Sequence, residues 1–244
     1  MSKRPIENDL CLFMKFGSKI NLEKLRAGQL YMKNLKYYVN LERFTEDEDV
    51  GDKYDGQMLI QNSRISLFDC DTNKPCARFN NASFSINLGY LNCPVFCMFV
   101  FDRRNYIEEQ LEGDVFAVKC RFTQEQLKRM PNFGDYVLII KDTKEFFDRV
   151  KNSLRKSGYK FTQDYIQYYE NNSIEYIRQV QADSYKIAFW KRDKYSYQQE
   201  YRFLIYNDVE DFLSVQIGDI SDITEIKSTA EILNTLVEAK FKIK

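Results

Sequence analysis

Tyr195–Tyr206 reads YSYQQEYRFLIY and is the most strand-like stretch of the chain. Aromatic and β-branched residues recur at alternate positions, Gln199 excepted, and neither glycine nor proline interrupts them. In a strand, Tyr197, Tyr201, Phe203 and Ile205 share one face, while Gln198, Glu200 and Arg202 share the other. The first set is apolar and packs on a core. The second aligns an amide, a carboxylate and a guanidinium along the opposite face, after Lys191 and Arg192. Two readings stand: an ordinary polar strand face with a Glu–Arg pair, or one wall of a cleft. On the cleft reading Glu200 sits at a solvated edge, so Glu200→Gln is expected to cost little stability.

Outward from this strand, the pattern stays mixed. DLCLFMKF (9–16) and LYM (30–32) read as strands around a short helix, NLEKLRAG (21–28), that Gly28 stops. MLIQNSRISLF, ARFNNASFSINL and VFCMFVF alternate with period two, and DVFAVKCRF and YVLII continue the strands. TQEQLKRM is a helix capped by threonine. TKEFFDRVKNSLRKSG (143–158) is an amphipathic helix with Thr143 as its cap and Phe146, Phe147, Val150 and Leu154 as its stripe. Phe161, Tyr165, Tyr168 and Tyr169 fit a buried helix stripe. FLSVQI and DITEIKS read as strands, and AEILNTLVEA as a closing helix. Without regular alternation of strand and helix, the expectation is an α+β fold. It has a mixed, mainly antiparallel sheet with flanking helices, in a single domain over 1–244 with a helical insertion around 141–182.

Composition removes whole classes of chemistry. The 244 residues hold 36 Lys+Arg, 36 Asp+Glu and no histidine. Ser-His-Asp and Cys-His units, HExxH sites and histidine-ligated zinc are therefore excluded, and acid–base work falls to carboxylates, Lys, Tyr or Cys. Neither GxGxxG nor GxxxxGK[ST] occurs. The six cysteines form no CxxC, so they read as buried thiols of a reducing compartment and no metal is expected. The longest apolar run, Cys93 to Phe101, is far short of the roughly 20 residues of a membrane helix. No secretory signal is legible in MSKRPIENDL, so a cytoplasmic location without membrane contact is expected. ERFTEDEDVGDKYDG (42–56), with seven acids against two bases, reads as a surface loop.

A second short motif repeats the strand-face logic. In ASFSIN (82–87), Ser83 and Ser85 share a face and leave room for a polar ligand; the plain alternative is a serine-rich edge strand. Two further classes are open. Residues 141–160 hold seven bases and three acids before a tyrosine-rich stretch, a pattern suited to single-stranded nucleic acid or to core packing. Glu225-Ile226-Lys227, with Asp211 upstream, fits a metal-dependent nuclease of the Asp…Glu-x-Lys type.

The ASFS strand, Lys191, and the Tyr-x-x-Gln-x-Glu-x-Arg pattern that ends at Arg202 together resemble an uncharacterised bacterial domain family. Some of its members are associated with phage defence or abortive infection. KFG, NLEKLRAGQLYM and the terminal VQIGDISDITEIKSTAEILNTL extend the resemblance loosely over most of the chain. Two features depart from the family: the acidic loop 42–56 replaces an Asn-Asp-Pro turn, and Lys15 or a neighbour replaces an early histidine. The same order of motifs is distantly similar to ADP-ribosyltransferases, which use an early arginine, a Ser-x-Ser strand and a Gln/Glu-x-Glu strand. That resemblance implies NAD as substrate, with Glu200, Gln198 and Arg202 as catalytic residues. Ser83, Ser85, Lys191 and Lys15 would hold the dinucleotide, and the protein would be a toxin-like or defence effector acting on a protein or nucleic-acid target.

Overall fold

The computed structural model describes residues 12–45, 49–170 and 174–242. The readings of residues 9–11 and of 46–48 lie outside that set. The fold is α+β, built around the apolar strand β5 (Pro94–Phe101). One edge of β5 carries β12 (Glu200–Ile205) over its length, Glu200 opposite Phe99 and Leu204 opposite Val95. Beyond β12 lies β9 (Phe161–Tyr165).

The other edge of β5 is shared by two strands. β1 (Leu12–Gly17) takes its C-terminal half, Leu12 opposite Phe101 and Met14 opposite Phe99. β2 (Gln29–Asn34) takes its N-terminal end, Lys33 opposite Val95 and Asn34 opposite Pro94. From there the sheet forks. β1 leads to β8 (Tyr136–Ile140) and β14 (Thr224–Ser228), whereas β2 leads to β13 (Phe212–Gln216), and every one of these pairings is antiparallel. Between the prongs, the edge of β5 over residues 96–98 has no strand beside it among the described residues.

Helix α1 (Lys19–Arg26) makes the reversal from β1 to β2. Gly28 follows it at φ 98°, and a Cβ there would lie 2.4 Å from the Gly218 carbonyl oxygen. Only glycine lets the start of β2 run so close to the chain that leaves β13. One face of the sheet (Phe13, Phe96, Met98, Leu138, Tyr201, Phe203) is covered by α1 and by α4 (Thr143–Lys156), whose Phe146, Val150 and Leu154 are fully buried. The other face (Met14, Phe16, Phe99, Phe101, Leu204) is covered by Leu35 of α2 (Leu35–Thr45). Met130, Phe189 and Tyr195 complete that cover, with Leu233 of α6 (Thr229–Leu233). Both faces being covered, β12 is buried at every residue.

Three smaller units surround this sheet. A hairpin of β3 (Gln57–Phe68) and β4 (Pro75–Asn87) packs its base, Met58, Ile60 and Ile86, on a third apolar cluster and exposes its distal half. β6 (Tyr106–Glu112), β7 (Val115–Cys120) and β15 (Val237–Lys242) form a three-stranded sheet, with α3 (Gln124–Arg129) following β7. β10 (Gln167–Tyr169) pairs in parallel with β11 (Trp190–Arg192), and α5 (Ile174–Ala182) lies between them in sequence. No helix among the described residues is long and apolar enough to cross a membrane.

Several expectations are corrected. The tyrosine-rich stretch forms β9 and β10 rather than a helix, because pairing with β12 and β11 satisfies its backbone. Residues 141–182 therefore contribute strands as well as helices. The cap of α4 is Asp142, whose carboxylate accepts from the Glu145 amide at 2.9 Å, and Thr143 is the first helical residue. The closing helix stops at Leu233, and Val237–Lys242 pairs with β7 instead. The 195–206 strand starts only at Glu200, after a 3-10 turn over Asp193–Gln198.

Phe203 is fully buried among Phe147, Phe161 and Tyr201. Phe203→Ala is expected to cost about 3–5 kcal/mol, read as a lowered urea midpoint in an equilibrium unfolding curve.

Candidate functional site

The site is built where the sheet forks. The Cys97 carbonyl lies at the gap, and Lys15 Nζ donates to it at 2.6 Å. Lys15 also lies 5.0 Å over the Phe96 ring, so it plugs the fork from the β1 side. Its side chain is partly exposed along its length. Burial of the ammonium lowers its pKa, against a raising pull from Cys97 and Glu200.

Glu200 and Arg202 project from β12 on the face opposite Tyr201 and Phe203, as the alternation requires. Arg202 is 1% exposed and spends its guanidinium entirely inside the protein. Its two terminal nitrogens grip both Asp55 oxygens at 2.9 Å, Nη1 donates to the Ala188 carbonyl at 2.6 Å, and Nε donates to Glu200 Oε1 at 2.7 Å. Lys191, brought alongside by β11, donates to Glu200 Oε2 at 2.6 Å and to Gln198 Oε1 at 2.9 Å, and stands 3.6 Å from Asp55. Burial alone would raise the Glu200 pKa. Arg202 and Lys191 outweigh it and hold the carboxyl well below the usual carboxylate range. At Lys191 and Arg202, burial works the other way, but the attractions to Glu200 and Asp55 overcome it and raise both pKa values. Cys97 lies opposite Arg202 in register, and burial pushes its thiol up to about 12.

Gln198 is not on the strand. The 3-10 turn and Gln199, a non-glycine residue in the left-handed region at φ 40°, deliver it to the same place. A buried amide network fixes that backbone. Gln126 Nε2 donates to the Tyr197 carbonyl at 3.0 Å and to Gln199 Oε1, and Gln199 Nε2 donates to Asp102 at 2.9 Å. Gln198 Nε2 then donates to the Asp49 carbonyl at 2.7 Å.

The described part of the acidic stretch 42–56, residues 42–45 and 49–56, is corrected from a surface loop: its Glu42, Asp52 and Asp55 belong to this site. Glu42 lies in α2, and Asp52 and Asp55 are buried. Asp55 serves Arg202; Asp52 accepts from Arg192 at 2.6 Å, and Glu42 from Arg192 at 3.2 Å. Cations drawn inside at 191, 192 and 202 require counter-charges, and the acidic segment is folded inward to supply them.

Lys15, Lys191, Gln198, Glu200 and Arg202 line one cavity of about 150 Å³, closed on its apolar side by Phe16, Val50, Phe99 and Met130. The structure thus brings together five of the seven expected residues. Ser83 and Ser85 are not among them. Both are exposed on β4, Ser83 accepting from the Asn62 amide at 3.1 Å, in the hairpin outside the main sheet. The strand that lies between β1 and β12 is β5, and it presents Cys97. Glu200 is also not at a solvated edge: it is 6% exposed. Sequence reasoning gives no role to Cys97, to Asp55 or to Tyr38, another cavity-lining residue. The cavity meets a groove of about 660 Å³ between the prongs of the fork, and the two share Lys15, Phe16, Tyr38 and Val50. Lys24 and Lys33 line the groove with Tyr31, Tyr37 and Phe212.

The residues of the nuclease reading do not meet. Asp211 precedes β13 and Glu225 lies on β14, the opposite ends of the strand order, and both side chains are exposed. No group of three or more potential ligands that could hold a metal ion occurs among the described residues. No family model, no curated protein and no solved structure matches this chain.

Because Glu200 is ionised when folded at pH values that protonate it when unfolded, the unfolded state binds the extra proton in that window. Its stabilisation is complete above the ordinary carboxylate pKa of about 4.3, and is lost as pH falls below that toward the depressed folded value. Glu200→Gln is expected to cost about 2–4 kcal/mol at pH 7, with Asp55 still pairing Arg202. Urea unfolding at pH 7, 5, 4 and 3 should show the difference between wild type and variant shrinking only below about pH 4.3.

Proposed function

We propose that this chain is an NAD-dependent ADP-ribosyltransferase, acting as the effector of a defence or toxin-like system. The observation that carries the reaction is the ionised Glu200 on the wall of a cavity that meets a lysine-lined groove at the fork. The effector role rests on the family resemblance of the Lys191–Arg202 segment. Adjacent β1, β5 and β12 present Lys15, Cys97 and Glu200 side by side, with Gln198 supplied by the turn before β12, where the transferase resemblance calls for an arginine, a Ser-x-Ser strand and a Gln/Glu-x-Glu strand. Lys15 stands for the early arginine and Cys97 for the serine of the middle strand.

The chemistry follows from charge. Lys15, Lys191 and Arg202 outnumber Glu200 and Asp55 by one, so the site favours an anion such as a pyrophosphate. Lys15 is placed to meet it, since it lines both the groove and the cavity. Within the cavity, the bond between the ribose C1′ and the nicotinamide nitrogen breaks, and its electron pair leaves with neutral nicotinamide. C1′ passes through an oxocarbenium-like state. A carboxylate that accepts from a ribose hydroxyl stabilises this charge, and Glu200 is held ionised for that task. The acceptor nucleophile then bonds C1′ and releases its proton to solvent. Arg202, Lys191 and Asp55 act by keeping Glu200 charged and aimed.

Labelled NAD incubated with the protein and cell lysate tests this. Nicotinamide release and transfer of label are expected, and Glu200→Gln should lower the rate by about 10²–10³-fold while near-UV circular dichroism shows it folded. Lys15→Met should raise KM about tenfold, with Lys15→Arg recovering part of the loss. Absence of both products from the wild-type protein would overturn the assignment.

A further inference from the structure

The groove between the prongs of the fork carries more than the reaction centre asks of it. Gln29, Tyr31 and Lys33 alternate along β2 on the face opposite the buried Leu30 and Met32, and all three line the groove. Antiparallel register sets Phe212 of β13 opposite Lys33, one diagonal step from Tyr31. The Tyr31 and Phe212 rings stack with centroids 4.9 Å apart. Even so, they stay 43% and 50% exposed, and Tyr37 stays 40% exposed. Lys33 Nζ ties the group together, standing 5.0 Å from the Tyr37 centroid, 5.8 Å from Phe212 and 5.9 Å from Tyr31. Three rings left open to water at one place mark a ligand surface rather than a core.

The charge of the groove has one sign. Lys15, Lys24 and Lys33 line it, and among the described residues no carboxylate does. Asp211, which is not part of the lining, accepts from Lys33 at 2.5 Å. Lys15 gives its bond to a neutral carbonyl, and Lys24 is exposed on α1. A ligand that answers both features carries a planar ring system and an anion. A neutral sugar gives the lysines nothing to neutralise, and an aliphatic acid gives the rings no flat face. A nucleotide supplies both. Size agrees. The cavity of about 150 Å³ is smaller than the roughly 300 Å³ at which small-ligand pockets begin, and the adjoining groove of about 660 Å³ extends it past Lys15.

We propose that the groove is a nucleotide subsite, with a base laid on the Tyr31–Phe212 pair and its phosphates held by Lys24 and Lys15. Its assignment to the adenosine diphosphate end of NAD rests on the transferase reading; the nucleotide binding itself does not.

ADP has no nicotinamide to release, so calorimetric titration with it reads binding alone. ADP should bind saturably, and about tenfold more tightly than either inorganic pyrophosphate or adenosine. Phe212→Ala, at a half-exposed position, should weaken ADP about tenfold and leave pyrophosphate unchanged, and Phe212→Trp should restore the loss. Lys24→Met should weaken ADP and pyrophosphate alike, by about fivefold. Glu200→Gln should bind ADP like the wild type. ADP binding without nicotinamide release from NAD would support the subsite while removing the transferase reading. ADP binding no tighter than pyrophosphate, or unchanged in Phe212→Ala, would overturn the proposal. So would a single-stranded oligonucleotide that binds far more tightly than ADP and loses that affinity in Phe212→Ala, since the groove would then be a nucleic-acid track.

Discussion

Arg202 is permanently charged and shut away from water, and the rest of the centre is arranged around that constraint. A guanidinium in such a place is tolerable only if its donors find acceptors and its charge is matched. Asp55 meets it bidentately, Ala188 lends a carbonyl and Glu200 takes Nε. Asp55 comes from a distant part of the chain, so the meeting fixes how segments 49–56 and 184–202 lie against the sheet. The carboxylate proposed to act on substrate is therefore also part of the scaffold. Its charge is secured by the same contacts that hold the fold.

Much of the sheet is legible in the sequence because period-two alternation and short apolar runs are local properties. YVLII and VFCMFVF are brief, rich in β-branched and aromatic residues, and flanked by turn-forming residues, so they leave little choice. Alternation also places Glu200 and Arg202 opposite Tyr201 and Phe203. Where local pattern and tertiary pairing compete, pairing wins. Phe161 to Tyr169 satisfies a helix stripe as well as a strand, and the open edges of β12 and β11 decide for strands. The residues after Leu233 are drawn from a helix into β15 by the edge of β7.

The site is half legible for a different reason. Lys191, Gln198, Glu200 and Arg202 lie within a dozen residues, and their chemistry is visible together. Asp55 and Cys97 join them only through long-range packing. A signal for Asp55 is present, in the pairing of an acid-rich segment with a strand whose arginine faces a buried side, but composition alone makes 42–56 resemble a solvated loop. Ser83 and Ser85 match a motif by residue type, and the topology puts β5 in the middle position instead. A tripeptide pattern holds no information about which strand will be its neighbour.

The forked edge of β5 has a mechanical meaning. Among the described residues, the β1–β8–β14 prong and the β2–β13 prong share no ladder with each other. They are joined through β5, through α1 and the 217–223 segment, and by the bond from Lys15 to the Cys97 carbonyl. A molecule seated between the prongs acts as a rivet across two plates, adding many contacts to that of one lysine. Occupancy then stiffens the sheet, and the free energy of that stiffening is part of the ligand's affinity. The width of the groove then acts beside the charge of Lys15 in selecting what enters.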